Sequence, residues 1–193
     1  ALTYYSADLR GLALRRTFVE ERPGQRFHYN NYNPLLFGMI LERATGMHVA
    51  DYLAEKIWRP VGAEADASWS LDSEKNGFEK MESGINARAI DFAKLGSLYL
   101  HRGEFNGRRI LPAEWVDAST APALPTGFAS VSGYGRWWWT HEADGLGPYY
   151  SARGNKGQFV FVFPRKGLVI TRHGRDFGGV DWSGVAEAVA RAF

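Results

Sequence analysis

The sequence predicts an α/β protein, more narrowly α+β, in which an antiparallel sheet is flanked by helices. Apolar residues recur at helical spacing through most of residues 1–125. Short aromatic and β-branched runs, separated by glycine and proline, follow between residues 134 and 173. A last periodic segment, 181–193, predicts a helix that covers the sheet. We expect a single domain, with a mainly helical region at 1–125 and the strands and final helix at 126–193.

Composition limits the class of protein. With 193 residues, 45% apolar and 15% aromatic, the chain can bury a core of ordinary size, which argues against disorder. The formal net charge is only +2 and the basic residues are scattered, so we predict no nucleic-acid partner. The absence of cysteine excludes disulfides, thiolate nucleophiles and cysteine metal sites and leaves the compartment open. No apolar run approaches the roughly 18 residues of a membrane span.

Turn residues and polar side chains precede the first clear helix. Pro23-Gly24 predicts a tight turn, and Asn33-Pro34 predicts a helix N-cap followed by the first helical residue. Gly46 predicts the end of this helix. Tyr29-Asn30-Asn31 therefore lies just before a helix N-terminus, whose partial positive charge favours an anionic group.

Two more helices, a hairpin and a short helix are predicted in the rest of the helical region. The helices end where glycine or proline follows the last apolar position, and an Asn-Gly pair marks the hairpin. These elements are a helix at Val49–Ile57 before Pro60-Val61-Gly62, a helix at Arg88–His101 before Gly103, a hairpin at Glu104–Arg109 and a helix at Pro112–Ser119.

The β region predicts neighbouring antiparallel strands at Tyr134–Thr140, Tyr149–Arg153, Gln158–Pro164 and Leu168–His173. The run 158–163 is apolar at nearly every position, so this strand is expected to be buried on both faces. Strand alternation sends at least one residue of Trp137-Trp138-Trp139 into the core, while the others could border a pocket. The final helix is expected to face the sheet with its apolar positions, Val185, Ala188, Val189 and Ala192.

This order of segments resembles the β-lactamase-related serine hydrolases. That family includes class C β-lactamases, D-alanyl-D-alanine carboxypeptidases, family VIII-type esterases and 6-aminohexanoate-dimer hydrolases. The turn 152–158 is most similar to the aminohexanoate-dimer branch. The resemblance rests on the runs Arg22–Gly46, Asp51–Leu53, Ile57–Gly62, Ala87–Gly96, Gly107–Val116 and Gly154–Pro164.

The resemblance implies a β-lactamase/transpeptidase-like fold and acyl transfer through a serine ester. The family uses a Ser-x-x-Lys motif, a Tyr-x-Asn motif and a Lys-Thr-Gly-like element. Tyr29-Asn30-Asn31 matches the second of these. Tyr29 would then take the serine proton and return it to the leaving group, which requires a phenol pKa lowered by neighbouring cations. Asn31 would hydrogen-bond the substrate or the motif lysine.

Arg153-Gly154-Asn155 occupies the place of the third element in this resemblance. The backbone N–H of Asn155 would be one of two oxyanion donors, and Gly154 would allow close backbone approach. The familiar lysine and threonine are replaced by Ala152 and Arg153. Arg153 or Lys156 is therefore a candidate for binding a substrate carboxylate, and the sequence does not choose between them.

The first motif is absent from this chain. No serine is followed three residues later by lysine, none lies in a Gly-x-Ser-x-Gly sequence, and Ser73-Glu74-Lys75 has the wrong spacing for one helical face. We therefore predict the C-terminal portion of such an enzyme, with the N-terminal part of the fold missing. Its partners would be a small-molecule amide or ester substrate and a missing segment that carries Ser-x-x-Lys. Without that segment, no hydrolysis is expected.

Other interpretations stay open. The Tyr-Asn-Asn triplet also suits a helix cap, and residues 153–156 suit a solvated turn. The chain could be a non-catalytic relative that binds peptide-like or cell-wall ligands, or an incomplete fold with an interaction role. No cofactor or metal is predicted, because no histidine stands at a ligand spacing and surface or capping roles are expected instead. The histidines are His28, His48, His101, His141 and His173.

Overall fold

The structure is a computed structural model that describes residues 2–16, 21–22, 24–129 and 131–193. These residues form two compact units that divide after Arg88. Pro23 of the predicted turn lies outside the described residues, whereas its neighbour Gly24 has a left-handed φ of 84°. Within the described part of the chain, no helix is both long and apolar enough to cross a membrane.

The first unit is mainly helical. Helices α2 and α3 share a core in which Leu9, Leu35 and Phe78 are fully buried. A two-stranded ladder pairs Ser68 with Asn86 and Trp69 with Ile85. The elements are α1 (Leu2–Tyr5), α2 (Leu9–Arg16), α3 (Tyr32–Thr45), α4 (Val49–Leu53), a π turn (Ala54–Trp58), β1 (Ser68–Trp69) and β2 (Ile85–Asn86).

Helix α3 begins two residues earlier than predicted. Asn30 Oδ1 accepts the N–H of Tyr32 at 2.9 Å, so the carboxamide of Asn30 supports the first turn. Asn31 takes the N-cap position, and the prediction of Asn33 as N-cap was wrong. Pro34 is tolerated inside the first turn because its missing N–H would have no helical partner there. The predicted end is confirmed, since Gly46 has a φ of 70° and donates its N–H to Glu42 O at 2.8 Å.

The helix predicted at Val49–Ile57 is present, but its last turn is wider than an α-helix. Arg59 donates its N–H to Ala54 O at 3.0 Å, five residues back. Trp58 ends the π turn as a buried residue, and its indole Nε1–H donates to Ala65 O at 3.0 Å. The turn that follows, at residues 59–62, ends the helix as predicted, with a φ of 63° at Gly62.

The second unit holds a five-stranded sheet. The strand order is β5-β6-β7-β8-β9 and every neighbouring pair is antiparallel, which confirms the predicted arrangement. The hairpin predicted around Asn106-Gly107 is also present, with both residues at positive φ. The elements are α5 (Ala89–Leu100), β3 (Glu104–Phe105), β4 (Arg108–Arg109), α6 (Ala113–Thr120), β5 (Gly133–Tyr134), β6 (Trp139–Ala143), β7 (Gly147–Gly154), β8 (Gln158–Phe163), a 3-10 turn (Pro164–Lys166), β9 (Leu168–Arg172) and α7 (Trp182–Ala192).

The segment predicted as one strand at Tyr134–Thr140 is instead two strands joined by a tight turn. Tyr134 pairs with Trp139, and Gly135 donates its N–H to Trp138 O at 2.8 Å. A Cβ on Gly135 would lie 2.2 Å from Ser119 O, so only glycine fits where the chain turns against α6. Trp138 is buried while Trp137 is half-exposed with a φ of 70°, so the turn, not strand alternation, separates them.

Helices cover both faces of this sheet. On one face Tyr149 and the phenylalanines of β8 pack with Ala186 and Ala190 of α7. On the other face Tyr150 and the valines of β8 pack with residues of α5, among them Tyr99. The expectation that β8 is buried on both faces is confirmed, since Phe159 to Phe163 are all buried.

Helix α7 meets the sheet with a different face from the one predicted. Val185 and Val189 are 43% and 39% exposed, and the buried positions are Ala186 and Ala190. The phenylalanines of β8 fill the space on this face of the sheet, and α7 packs against them with Ala186 and Ala190 and with the partly buried Trp182. Asp181 caps the helix by accepting the N–H of Ser183 at 3.1 Å.

Candidate functional site

Tyr29 lies in an irregular segment that ends at the N-terminus of α3. The turn that follows it is fixed by Asn30, whose side chain accepts from Tyr32 N and whose carbonyl accepts from Asn33 N at 3.3 Å. Tyr29 is half-exposed and Asn31 is partly buried at the N-cap. The first unit therefore holds the predicted Tyr-x-Asn triplet at the start of a helix, where an anionic group is favoured.

The phenol of Tyr29 has a pKa above its ordinary value. Partial burial is the larger cause, because it penalises the phenolate, and Tyr4 adds a smaller effect in the same direction. This direction is opposite to the lowered pKa that a proton-accepting tyrosine requires. The surroundings of Tyr29 among the described residues thus favour the neutral phenol.

Residues 154–158 form the hairpin loop between β7 and β8 in the second unit. Gly154 pairs with Gln158, which leaves Asn155, Lys156 and Gly157 as a three-residue turn. Lys156 and Gly157 both have left-handed φ values, 59° and 77°. Asn155 Oδ1 accepts the N–H of Lys156 at 2.8 Å, so its side chain shapes the turn. Gly154, Asn155 and Lys156 are exposed at the tip.

Gln158 braces this loop, a role that the sequence did not suggest. Its amide binds Gly174 twice, with Nε2–H donating to Gly174 O at 2.5 Å and Oε1 accepting from Gly174 N at 3.1 Å. Arg172 adds a hydrogen bond from its guanidinium to Gly157 O. The loop that presents Asn155 is therefore tied to the segment after β9, and such ties limit its movement.

Arg153 turns away from the loop and toward α7. Its Nε–H donates to Ser151 Oγ at 3.2 Å, and its Nη2 lies 3.2 Å from Ser183 Oγ and 3.3 Å from His141 Nε2. The guanidinium also lies 5.8 Å from the ring centroid of Trp139. Burial lowers the pKa of Arg153, but an arginine remains charged at neutral pH.

His141 and Ser151 form a buried hydrogen bond, with Nε2 3.0 Å from Oγ. The guanidinium of Arg153 only donates, so its contact with Nε2 favours the tautomer with the proton on Nδ1. Ser151 is 0% exposed and already accepts from Arg153, so this serine-histidine pair is a structural network and not a nucleophile. The expected surface or capping role for every histidine is wrong for His141.

The structure thus gathers the predicted residues into two groups. Tyr29 and Asn31 belong to the first unit, and residues 153–156 belong to the second. Within the second group, Gly154, Asn155 and Lys156 share the exposed loop, while the side chain of Arg153 is committed to the α7 face. His141, Ser151 and Gln158 were missed, because their partners lie on other strands or after β9.

Known proteins share both sequence and fold with this chain. A 6-aminohexanoate-dimer hydrolase from Paenarthrobacter ureafaciens is 28% identical over 155 residues, which cover 76% of this chain and 38% of the relative. A Bacillus anthracis protein provisionally named a 6-aminohexanoate-dimer hydrolase superposes with a TM-score of 0.81 at 26% identity, covering 93% of this chain and 47% of that one.

A more distant structure shares the fold. The octameric penicillin-binding protein homologue from Pyrococcus abyssi superposes with a TM-score of 0.77 at 18% identity, covering 97% of this chain and 47% of that one. The chain therefore spans less than half the length of each of these three proteins. The sequence model of the family described as Beta-lactamase matches residues 5–191. Since that match includes nearly the whole sequence, this chain belongs to the beta-lactamase family.

Proposed function

We propose that this chain is the portion of a serine hydrolase that carries the Tyr-x-Asn motif and the oxyanion loop but not the nucleophile. The observation that carries the proposal is the position of Tyr29-Asn30-Asn31 at the N-terminus of α3 in a member of the beta-lactamase family. The reaction would be hydrolysis of an amide or ester through an acyl-serine intermediate. A linear oligoamide is the first substrate to test, because two relatives are named for the 6-aminohexanoate dimer.

In this proposal Tyr29 exchanges a proton between the serine and the leaving group. Its pKa is raised within the described residues, so the cation that lowers it would be the lysine of a Ser-x-x-Lys motif outside this chain. Asn31 would hold that lysine or the substrate. The second unit would supply the N–H of Asn155 as an oxyanion donor, and the serine's own N–H would be the other.

Arg153 and Lys156 are the two candidates in the second unit for binding a substrate carboxylate. Arg153 is occupied by Ser151, Ser183 and His141, whereas Lys156 is exposed at the loop tip. Lys156 is therefore the better candidate for a substrate carboxylate. Arg153 would instead hold the end of β7 in place and so position Gly154 and Asn155.

The test compares this chain with a version extended at its N-terminus along its natural gene. The extended protein should contain Ser-x-x-Lys and hydrolyse p-nitrophenyl acetate and the 6-aminohexanoate dimer, and Tyr29→Phe should lower its kcat/KM by about 10²–10⁴-fold. Tyr5→Phe, at an exposed tyrosine, is the matched control. Turnover by the unextended chain that depends on Tyr29 would contradict the proposal, as would full activity of the extended Tyr29→Phe variant.

A binding role is the second candidate, because no serine in this chain has lysine three residues later. In that case the extended protein would also lack the motif. It would bind acyl-peptide or cell-wall fragments without releasing product. Quenching of tryptophan fluorescence during titration with such fragments, together with chromatography of the mixture, separates the two functions.

A further inference from the structure

Two glutamates and a histidine meet in the first unit. Glu42 lies near the end of α3, His48 precedes α4, and Glu79 lies in the segment that bridges to Leu71. One potential ligand atom from each lies within 4.8 Å of the other two. His48 Nδ1 is 3.5 Å from Glu42 Oε1. Glu79 lies 31 residues beyond His48 in the sequence, so the three residues do not form a linear motif.

Glu79 is the unusual member of this cluster. It is only 2% exposed, and its Oε1 accepts the N–H of Ala50 at 2.9 Å. Its Oε2 is buried and has no hydrogen-bond partner among the described residues. A buried carboxylate oxygen without a partner is costly, and native structures contain few of them. The carboxylate therefore lacks a cation or donor on one side.

Arg10 places a positive charge beside the cluster but does not neutralise all of its carboxylates. Arg10 binds both oxygens of Glu42, at 2.5 and 2.8 Å, and its charge also attracts Glu79 and Asp72. The single positive charge of Arg10 thus interacts with the carboxylates of Glu42, Glu79 and Asp72. Asp72 is well supplied with donors, since it accepts the N–H groups of Leu9, Ser73 and Phe78. Glu79 is the carboxylate left with excess negative charge around it.

We propose that Glu42, His48 and Glu79 bind a divalent transition-metal ion. In a tetrahedral zinc site with bonds of about 2.0–2.1 Å, neighbouring ligand atoms lie about 3.3 Å apart. The 3.5 Å between His48 Nδ1 and Glu42 Oε1 already suits this geometry, and a Glu79 oxygen within 4.8 Å of a ligand atom of each would move closer on metal binding. Zn²⁺ binds histidine nitrogen and glutamate oxygen in proteins, so one imidazole and two carboxylates suit it.

Groups around the cluster would serve as outer-sphere support. A carboxylate offers about four lone-pair positions, so Glu42 can accept from Arg10 and still ligate an ion. The Ala50 N–H holds Glu79 Oε1 and leaves Oε2 for the metal. The side chain of His48 is 65% exposed, which gives an ion access from solvent and leaves room for a water ligand. The ion would join α3, α4 and the Glu79 segment, and this role is independent of the proposed hydrolase activity.

The experiment titrates the untagged chain with Zn²⁺ alone in chelator-free buffer, by calorimetry and by thermal unfolding. We expect one equivalent to bind, with a rise in Tm that EDTA reverses. His48→Ala and Glu79→Gln should each weaken binding at least tenfold. His101→Ala, which removes an exposed histidine of the second unit, is the matched control and should bind as the parent does.

Two outcomes would overturn the proposal. One is the absence of saturable Zn²⁺ binding by the parent chain. The other is equal affinity of the His48→Ala and His101→Ala variants. Because His48 is exposed and makes no side-chain cap bond, its replacement should leave the fold intact even if Glu79→Gln does not fold. Co²⁺ gives a further readout, since its visible absorption should differ between the parent and His48→Ala.

Discussion

Ser151 Oγ lies 3.0 Å from His141 Nε2, inside the sheet unit and out of contact with solvent. Arg153 completes this group by donating to Ser151 and approaching His141 and Ser183. The network joins the neighbouring strands β6 and β7 to α7, and β7 leads into the loop that presents Asn155. Its contribution can therefore be measured as a free energy of unfolding.

Ser151→Ala should destabilise the chain by about 1–3 kcal/mol, because it leaves His141 Nε2 and Arg153 Nε without their shared partner in a buried place. Urea unfolding followed by circular dichroism measures the change. Ser132→Ala, at an exposed serine, should stay within about 0.5 kcal/mol of the parent. Equal stability of the two variants would show that the network contributes nothing.

Tyr29 should titrate above the ordinary tyrosine pKa near 10 in this chain, because burial and Tyr4 both disfavour the phenolate. NMR of chains with ¹³C-labelled tyrosine rings measures this pKa, and Tyr29→Phe assigns the signal. In an extended protein that carries the motif lysine, the same signal should move to lower pH. A value below 10 in the unextended chain would contradict the structure.

Glu82→Gln should stabilise the chain at pH 7 but not in acid. Burial raises the pKa of Glu82 above its ordinary 4.5, and smaller effects of its own backbone, Lys80 and Thr3 oppose the shift. The folded state therefore binds a proton on the Glu82 carboxylate more tightly than the unfolded state does. The stabilisation from protonated Glu82 is complete below pH 4.5 and is lost as the pH rises through the raised value.

The measurement is the Tm of parent and Glu82→Gln at several pH values. The Tm of the variant should be higher than that of the parent by up to about 4 °C at pH 7, and the difference in Tm should disappear near pH 4. Glu74→Gln, at an exposed glutamate, should show no such pH-dependent gap. A gap that is independent of pH would mean that ionisation of Glu82 is not the cause.

Gly96→Val should destabilise the second unit by about 1–3 kcal/mol, although glycine is a poor helix former. A Cβ at this position would lie 2.6 Å from Val169 Cγ1 and 2.9 Å from Val160 Cγ1, so α5 would have to move off the sheet. Chemical denaturation measures the loss. Ala89→Val, at an exposed position of the same helix, should change stability little, and a similar loss in both variants would exclude close packing as the reason.

Features that depend on local physics were predictable from the amino-acid sequence. Gly46 and Gly103 end their helices because a left-handed φ suits glycine, and Asn106-Gly107 turns its hairpin for the same reason. The apolar run of β8 predicted a strand buried on both faces, and residues Phe159–Phe163 are all buried. The Tyr29 triplet was recognisable because its place before a helix is also a local property.

Tertiary structure decided the features that depend on distant partners. The face of α7 was set by the phenylalanines of β8, which admit Ala186 and Ala190 but not the valines. His141 meets Ser151 and Arg153 only through strand pairing, and Glu79 meets Glu42 and His48 only through the packing of its non-helical segment against α3 and the start of α4. Such contacts join side chains on different elements, and no local pattern of residues specifies them.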